Sequence, residues 1–169
     1  MAIDSLQDKI RKLKNPTVID FTMKQEHIPA NIAEEEADFC SAYLRYCREL
    51  MSALKELVPA VRFSFTALAL QDDGFSRLKQ LMLEAKELGY YVIMDTPEIL
   101  TPWNADIVAD SLGTLACDAV VISPYIGTDA MKSLVPACAD GDKEIFVVVR
   151  SANKTASELQ DLLTGSRHV

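Results

Sequence analysis

Histidine, tryptophan and glycine are scarce in this sequence, and this scarcity excludes several kinds of site. Two histidines, one tryptophan and six glycines occur among 169 residues. With so few histidines, a zinc centre or a Ser-His catalytic pair has almost no side chains to draw on. No apolar run approaches the ~20 residues of a membrane span, and the N-terminal residues lack the basic start and apolar middle of a signal peptide. We therefore expect a cytoplasmic protein without a metal site.

The chain has fewer positively charged than negatively charged side chains. It has 17 lysines and arginines against 25 aspartates and glutamates, which gives a formal net charge of −8. Such a charge disfavours nucleic acid and anionic membrane surfaces as partners. The four cysteines form no Cys-x-x-Cys pair, and three of them lie within apolar patterns, so we expect free structural thiols. They are Cys40, Cys47, Cys117 and Cys138.

Short apolar segments and longer amphipathic segments alternate along the chain. The apolar segments predict parallel strands that are buried on both faces. They cover residues 16–21, 60–65, 90–95, 118–123 and 144–150. Helical patterns between and after them cover residues 33–57, 75–88, 104–112, 129–138 and 155–163. No linker or low-complexity tract interrupts this alternation, so residues 1–169 are expected to form a single domain.

Two α/β architectures fit these five units. Strand–helix alternation with long connections implies parallel pairing and right-handed crossovers. The units could form part of a TIM barrel, about five of its eight strands, or a five-stranded doubly wound parallel sheet. A doubly wound sheet favours a glycine-rich turn after its first strand, and none follows residues 16–21. The partial barrel is therefore the first prediction, and the doubly wound sheet is the alternative.

Several segments, taken in their order and spacing, carry a resemblance to a known family. They are residues 14–18 (KNPTV), 58–61 (VPAV), 123–129 (SPYIGTD), 149–153 (VRSAN) and 158–162 (ELQDL). Together they resemble the longer bacterial class of orotidine 5'-monophosphate decarboxylases over nearly the whole chain. The resemblance implies the first five units of an eight-unit barrel. It also implies dimers that meet across the active sites, and conversion of orotidine monophosphate to uridine monophosphate without a cofactor.

The motif that performs this family's chemistry is largely replaced. The family's Asp-x-Lys-x-x-Asp aligns with residues 95–100, where Asp95 survives but Pro97 and Leu100 replace the lysine and the second aspartate. Direct decarboxylation leaves a carbanion on the pyrimidine ring, and the family's lysine delivers the proton to it. Proline cannot do so, and no lysine or arginine occurs between Lys86 and Lys132. We therefore expect this chain to be inactive on its own.

Polar residues at the carboxyl ends of the predicted strands are candidates for a ligand site, because that end of a β/α barrel carries the site. By the resemblance, Thr22 replaces a ribose-holding aspartate, Arg62 replaces a lysine, and Ala152 replaces a serine that contacts the pyrimidine. Asp95 is the candidate catalytic residue, and Arg62 could pair with it from the neighbouring strand. Alternatively, these are solvated loop residues or structural ion pairs. The ligand-binding candidates are Thr22, Arg62, Glu98, Ser123, Arg150, Ser151 and Asn153, with Asp20 and Ser64 at the same strand ends.

The sequence is compatible with three kinds of function. It does not decide whether the chain is an enzyme. The first is a decarboxylase-like protein that acts by binding or assembly. The second is a genuine decarboxylase completed by another chain. The third is different chemistry, with Asp95 and Glu98 holding magnesium. The expected partners are a small anionic ligand, such as a nucleotide or sugar phosphate bound through Arg62 or Arg150, and a second copy or a complementary barrel fragment, because five strands cannot close a barrel. No cofactor is expected.

Overall fold

Five short strands lie side by side in one parallel sheet in the computed structural model, which describes residues 2–68, 73–96, 101–164 and 167–168. All five predicted strands are present, each slightly shorter than predicted. They are β1 (Val18–Asp20), β2 (Ala60–Ser64), β3 (Tyr91–Asp95), β4 (Ala119–Ile122) and β5 (Glu144–Val147). A separate antiparallel pair, β6 (Leu163–Thr164) and β7 (Arg167–His168), was not predicted.

Helices occupy the predicted positions, with two corrections and one addition, the first helix, which precedes β1 and was not predicted. They are α1 (Ala2–Leu13), α2 (Ala30–Glu35), α3 (Phe39–Leu54), α4 (Gly74–Glu87), α5 (Pro102–Leu112), α6 (Gly127–Asp140) and α7 (Ser157–Gln160). The single helix predicted over residues 33–57 is wrong, because Asp38 has an extended backbone and its carboxylate accepts a hydrogen bond from the Ser41 N–H, which starts α3 anew. The last helix ends at Gln160, before the predicted end at residue 163.

The order of the strands decides between the two predicted architectures. Each strand pairs in parallel with the next one in the sequence, in the order β1-β2-β3-β4-β5. A doubly wound sheet reverses its strand order at a switch point, and this sheet has no such reversal among the described residues. The doubly wound alternative is therefore wrong. The sheet is part of a parallel β/α barrel, with its strands in barrel order.

The two faces of the sheet bury different side chains, because successive residues of a strand point to opposite sides. Phe63, Met94 and Val120 face the helices and belong to the main apolar core. Tyr91 and Ala119 face the other side, the inside of the barrel, where they pack with Ala60, Ile93 and the first turns of α1. This alternation also points Asp20, Arg62 and Asp95 towards the inside.

The first helix is fastened to the amino end of the sheet. The Glu144 carboxylate at the start of β5 accepts a hydrogen bond from the Ile3 N–H at 3.1 Å. A carboxylate at this position also stabilises the positive end of the helix dipole. At the other end of α1, the Lys9 ammonium donates to the Gly89 carbonyl at 2.6 Å. The helix thereby covers the buried Tyr91 side chain, and burial raises the pKa of the Tyr91 hydroxyl.

The four cysteines are buried and unpaired, as predicted. Within the described residues, no helix combines the length and the apolar character that crossing a membrane would demand.

Candidate functional site

Three charged side chains meet at the carboxyl ends of the first three strands. The strand register places Asp20 beside Arg62 and Ser64 beside Asp95, so the three charged residues come from adjacent strands on one face. One terminal nitrogen of Arg62 (Nη1) lies 3.3 Å from Asp20 Oδ2, and the other (Nη2) contacts Asp95 Oδ2 directly. We call these three residues the Arg62 network. The contact between Arg62 and Asp95 is the one that the sequence predicted.

The Arg62 network is half-buried and carries a net negative charge. The Asp95 side chain is 9% exposed and that of Arg62 is 36% exposed. The guanidinium lies between two carboxylates, and its Nε atom is buried without a hydrogen-bond partner among the described residues. An arginine gives up a proton very poorly, and this one already faces two anions. The network can therefore hold Asp95 in place, but it supplies no proton donor and no uncompensated positive charge.

A cavity of about 260 Å³ opens beside Asp95, at the carboxyl ends of β3, β4 and β5. Its walls are mostly apolar, with a few polar groups. Such a mixture is usual where proteins bind small molecules. The residues that line it are Asp95, Val121, Ile122, Ser123, Pro124, Tyr125, Val148, Val149, Ser151 and Gln160.

Gln160 holds the far wall of this cavity in place. Its amide nitrogen donates to the Ser151 hydroxyl oxygen at 2.8 Å, and its amide oxygen accepts from the Ser151 N–H at 3.0 Å. The Ser151 hydroxyl in turn donates to the Asn153 side-chain oxygen at 2.5 Å. These hydrogen bonds hold α7, which ends at Gln160, against the segment that follows β5. The sequence did not indicate Gln160 as a site residue, although it lies within residues 158–162 (ELQDL), which are part of the resemblance.

Comparison with known proteins agrees with this geometry. No protein-family model matches the chain. An orotidine 5'-phosphate decarboxylase from Rhodopirellula baltica is 28% identical over 93% of this chain and 57% of its own length. One from Ralstonia pickettii is 30% identical over 83% of this chain and 52% of its own length. This chain is similar to orotidine 5'-phosphate decarboxylases over most of its length. The predicted resemblance is confirmed, and the chain spans about half the length of the curated relatives it matches.

Solved structures show the same fold at lower identity. UMP synthase from Leishmania donovani superposes with a TM-score of 0.77 at 22% identity, over 98% of this chain and 34% of that one. Orotidine 5'-monophosphate decarboxylase from Plasmodium berghei superposes with a TM-score of 0.75 at 14% identity, over 98% of this chain and 66% of that one. At these identities the likeness concerns the fold, and it confirms the partial TIM barrel.

Some of the residues predicted to bind a ligand line the cavity, and others lie outside it. Asp95, Ser123 and Ser151 line the cavity, and the Ser123 hydroxyl also accepts from the Tyr125 N–H at 3.3 Å. Thr22 is exposed, and its N–H donates to the Asp20 carboxylate at 2.9 Å. Arg150 does not line the cavity, because its guanidinium pairs with the carboxylate of Asp161.

The remaining residues of the predicted site are Asn153, Ser64 and Glu98. Asn153 supports Ser151 from an exposed loop, where its own amide nitrogen contacts the Thr155 hydroxyl at 3.3 Å. Ser64 is buried, and its hydroxyl lies 3.1 Å from that of Thr66. Glu98 lies outside the described residues, together with Pro97 and Leu100. Which of the predicted residues bind a ligand stays a prediction.

Proposed function

We propose that this chain is a cytoplasmic protein, derived from the orotidine 5'-monophosphate decarboxylases, that does not decarboxylate orotidine monophosphate by itself and acts by binding or assembly. The observation that carries the proposal is the Arg62 network. The surviving motif residue Asp95 is paired with a guanidinium, whereas catalysis of this reaction would need a group beside it that can deliver a proton.

The sequence around Asp95 supports the same proposal. Decarboxylation without a cofactor depends on a preorganised field of charges and on a proton donor at the carbon that loses carbon dioxide. Pro97 stands where the family's lysine would be, and the segment between Lys86 and Lys132 contains no other lysine or arginine. Arg62 cannot replace the lysine, because a guanidinium stays protonated across the physiological pH range.

The first prediction is that the purified chain does not convert orotidine monophosphate. Loss of substrate absorbance is followed at high protein concentration, with the Rhodopirellula baltica relative in a parallel assay. We expect the rate with this chain to equal the rate in buffer, and the Asp95→Ala variant to give the same rate. Turnover that disappears in Asp95→Ala would show that Asp95 still takes part in catalysis and would end the proposal.

The ligand of the proposed binding function is a small anion, a nucleotide or a sugar phosphate. The cavity of about 260 Å³ beside Asp95 is large enough for part of such a molecule. Both arginines at the strand ends are already paired with carboxylates. The exposed pair of Arg150 and Asp161 is the easier of the two to open, because exposed ion pairs contribute little stability. We therefore assign the charge of the anion to Arg150, which lies at the margin of the cavity between the lining residues Val149 and Ser151.

The second prediction is that uridine monophosphate or ribose 5-phosphate raises the melting temperature, with a shift that grows with ligand concentration. Arg150→Gln should abolish the shift. Arg48→Gln is the matched control, because Arg48 forms a similar two-nitrogen pair with Glu84 on α3 and α4, away from the cavity. No shift at millimolar concentration, or an equal loss in both variants, would contradict an anion site at Arg150.

A decarboxylase completed by another chain is the second candidate function. It is favoured by one finding, that this chain matches two relatives named for this activity over 93% and 83% of its own length. This candidate predicts turnover only after a second polypeptide has been added, so it differs from the first candidate in a measurable way.

A further inference from the structure

Another cavity, of about 190 Å³, opens at the amino ends of β2 and β3, at the opposite end of the sheet from the cavity beside Asp95. It lies between the end of α1 and the turns that follow α3 and α4. We call it the lysine cavity. The residues that line it are Lys9, Lys12, Leu13, Lys55, Glu56, Val58, Pro59, Leu88 and Gly89.

Hydrogen bonds between its walls hold the lysine cavity in shape. The Asn15 side-chain amide donates to the Leu57 carbonyl at 2.7 Å, which ties the segment after α1 to the turn after α3. The Lys9 ammonium donates to the Gly89 carbonyl at 2.6 Å, which ties α1 to the turn after α4. Val58 in its wall is buried. The cavity is therefore built from three segments that are already fastened to one another.

The positive charges of the lysine cavity are not neutralised by neighbouring carboxylates. Within the described part of the chain, Lys12 and Lys55 form no hydrogen bond or ion pair, and Lys9 donates only to a backbone carbonyl. One carboxylate, that of Glu56, lines the cavity, and it forms no ion pair with these lysines. Three ammonium groups and one carboxylate leave two positive charges that a ligand can compensate.

Cations elsewhere at the candidate site and on the helices are in a different situation. Arg62 and Arg150 at the carboxyl ends of the strands are each paired with a carboxylate. Arg45 and Arg48 on α3 are paired with glutamates. The chain as a whole carries a formal net charge of −8. Unpaired ammonium groups that converge on one cavity therefore distinguish the lysine cavity from its surroundings.

Lysines near the ends of helices also have a structural role, since they stabilise the negative end of the helix dipole. That role does not account for all of the lysines here. The carbonyl of Leu54, the last residue of α3, already accepts a hydrogen bond from the Val58 N–H at 3.0 Å. Lys12 and Lys55 donate to no carbonyl among the described residues. Their ammonium groups are available to a ligand.

We propose that the lysine cavity binds a small anion with several negative charges, of the diphosphate class. Ammonium groups on flexible stems bind phosphate oxygens as point charges, and a diphosphate can share its charge among several of them. The volume of about 190 Å³ is below the ~300–1,000 Å³ usual for drug-sized ligands, so the anion is compact. This site is separate from the one assigned to Arg150, and neither depends on the other.

The test is titration calorimetry of the whole chain with inorganic pyrophosphate. Binding should be saturable and should weaken as the salt concentration rises, because exposed charges are screened by salt. Inorganic phosphate carries fewer charges and should bind more weakly than pyrophosphate. Circular dichroism confirms that each variant is folded before it is titrated.

Four single variants locate the anion. Lys12→Gln and Lys55→Gln should each weaken pyrophosphate binding by about threefold to fivefold, as expected for an exposed charge pair, and together by about tenfold or more. Glu56→Gln removes the one carboxylate of the cavity and should strengthen binding by about twofold or more. Lys132→Gln is the matched control, because Lys132 is an exposed lysine of α6 that does not line the cavity. It should leave the dissociation constant unchanged.

Several results would overturn the inference. They are the absence of pyrophosphate binding to the wild type, undiminished binding by the Lys12→Gln/Lys55→Gln double variant, and an equal loss in Lys132→Gln. Loss of binding in Arg150→Gln, with full binding by the double variant, would place the anion at the carboxyl ends of the strands and would overturn it as well. The decarboxylase assay is a separate measurement, so the proposed function and this site can fail independently.

Discussion

Replacing Arg62 by methionine is expected to lower the free energy of unfolding by about 2–3 kcal/mol. The substitution keeps most of the side-chain volume but removes the guanidinium that contacts Asp20 and Asp95. Asp95 is 9% exposed, so its carboxylate would be left buried beside a thioether. Removing one member of a buried ion pair costs about 3–5 kcal/mol, and the partial exposure of Arg62 reduces this value. Urea unfolding monitored by circular dichroism gives the measurement.

Two further variants show whether the loss comes from Asp95. Arg62→Lys should fall between the wild type and Arg62→Met, because one ammonium group cannot bridge two carboxylates as a guanidinium does. Adding Asp95→Asn to Arg62→Met should recover part of the stability, since a neutral amide is less costly to bury than a carboxylate. Strictly additive effects of the two substitutions would mean that Arg62 and Asp95 are not energetically coupled.

Replacing Phe63 by alanine is expected to have the largest effect, a loss of about 3–5 kcal/mol. Phe63 is fully buried in the main core on the helix side of β2, and its ring stacks on that of Phe21 at a centroid distance of 5.2 Å. The deleted ring would leave a cavity in the main core between the sheet and the helices. The midpoint of urea unfolding should therefore fall strongly.

The matched control for this prediction is Phe75→Ala. Phe75 is partly exposed on α4, and its ring lies edge-on to that of Phe65, with 5.7 Å between the ring centroids. Its removal should cost about 1 kcal/mol, because much of its surface already contacts water. If the two variants were equally stable, Phe63 would not hold β1 and β2 against the helices as the structure indicates.

Much of the fold was predictable from local sequence patterns. Apolar segments predicted parallel strands, and all five were found. Burial on both faces leaves a signal that needs no tertiary knowledge; the structure shows that burial for β2, β3 and β4, whereas β1 and β5 are partly exposed. The pairing of Arg62 with Asp95 was also predictable, since adjacent parallel strands bring their carboxyl ends together. The division between α2 and α3 was missed, because a continuous helical pattern hides a local cap such as that of Asp38.

The candidate site was less predictable than the fold. The sequence did not indicate that Arg150, a predicted ligand-binding residue, pairs with Asp161, eleven positions further along the chain. Gln160, which was not predicted, lines the cavity and bonds to Ser151. The Arg150–Asp161 pair and the position of Gln160 both depend on how the chain folds back after β5. No periodic pattern in the sequence predicts that conformation.

The sequence by itself determined the five strands of the sheet and most of its helices, the resemblance to orotidine 5'-phosphate decarboxylases and the loss of the motif lysine at Pro97. Each of these is a property of residue identity and short-range spacing. Only the tertiary structure decided that the strands follow one another in barrel order, that Arg62 is shared by two carboxylates, and that the segment after β5 forms a wall of the cavity. These features depend on which distant segments become neighbours, and that is set by the packing of the whole sheet against its helices.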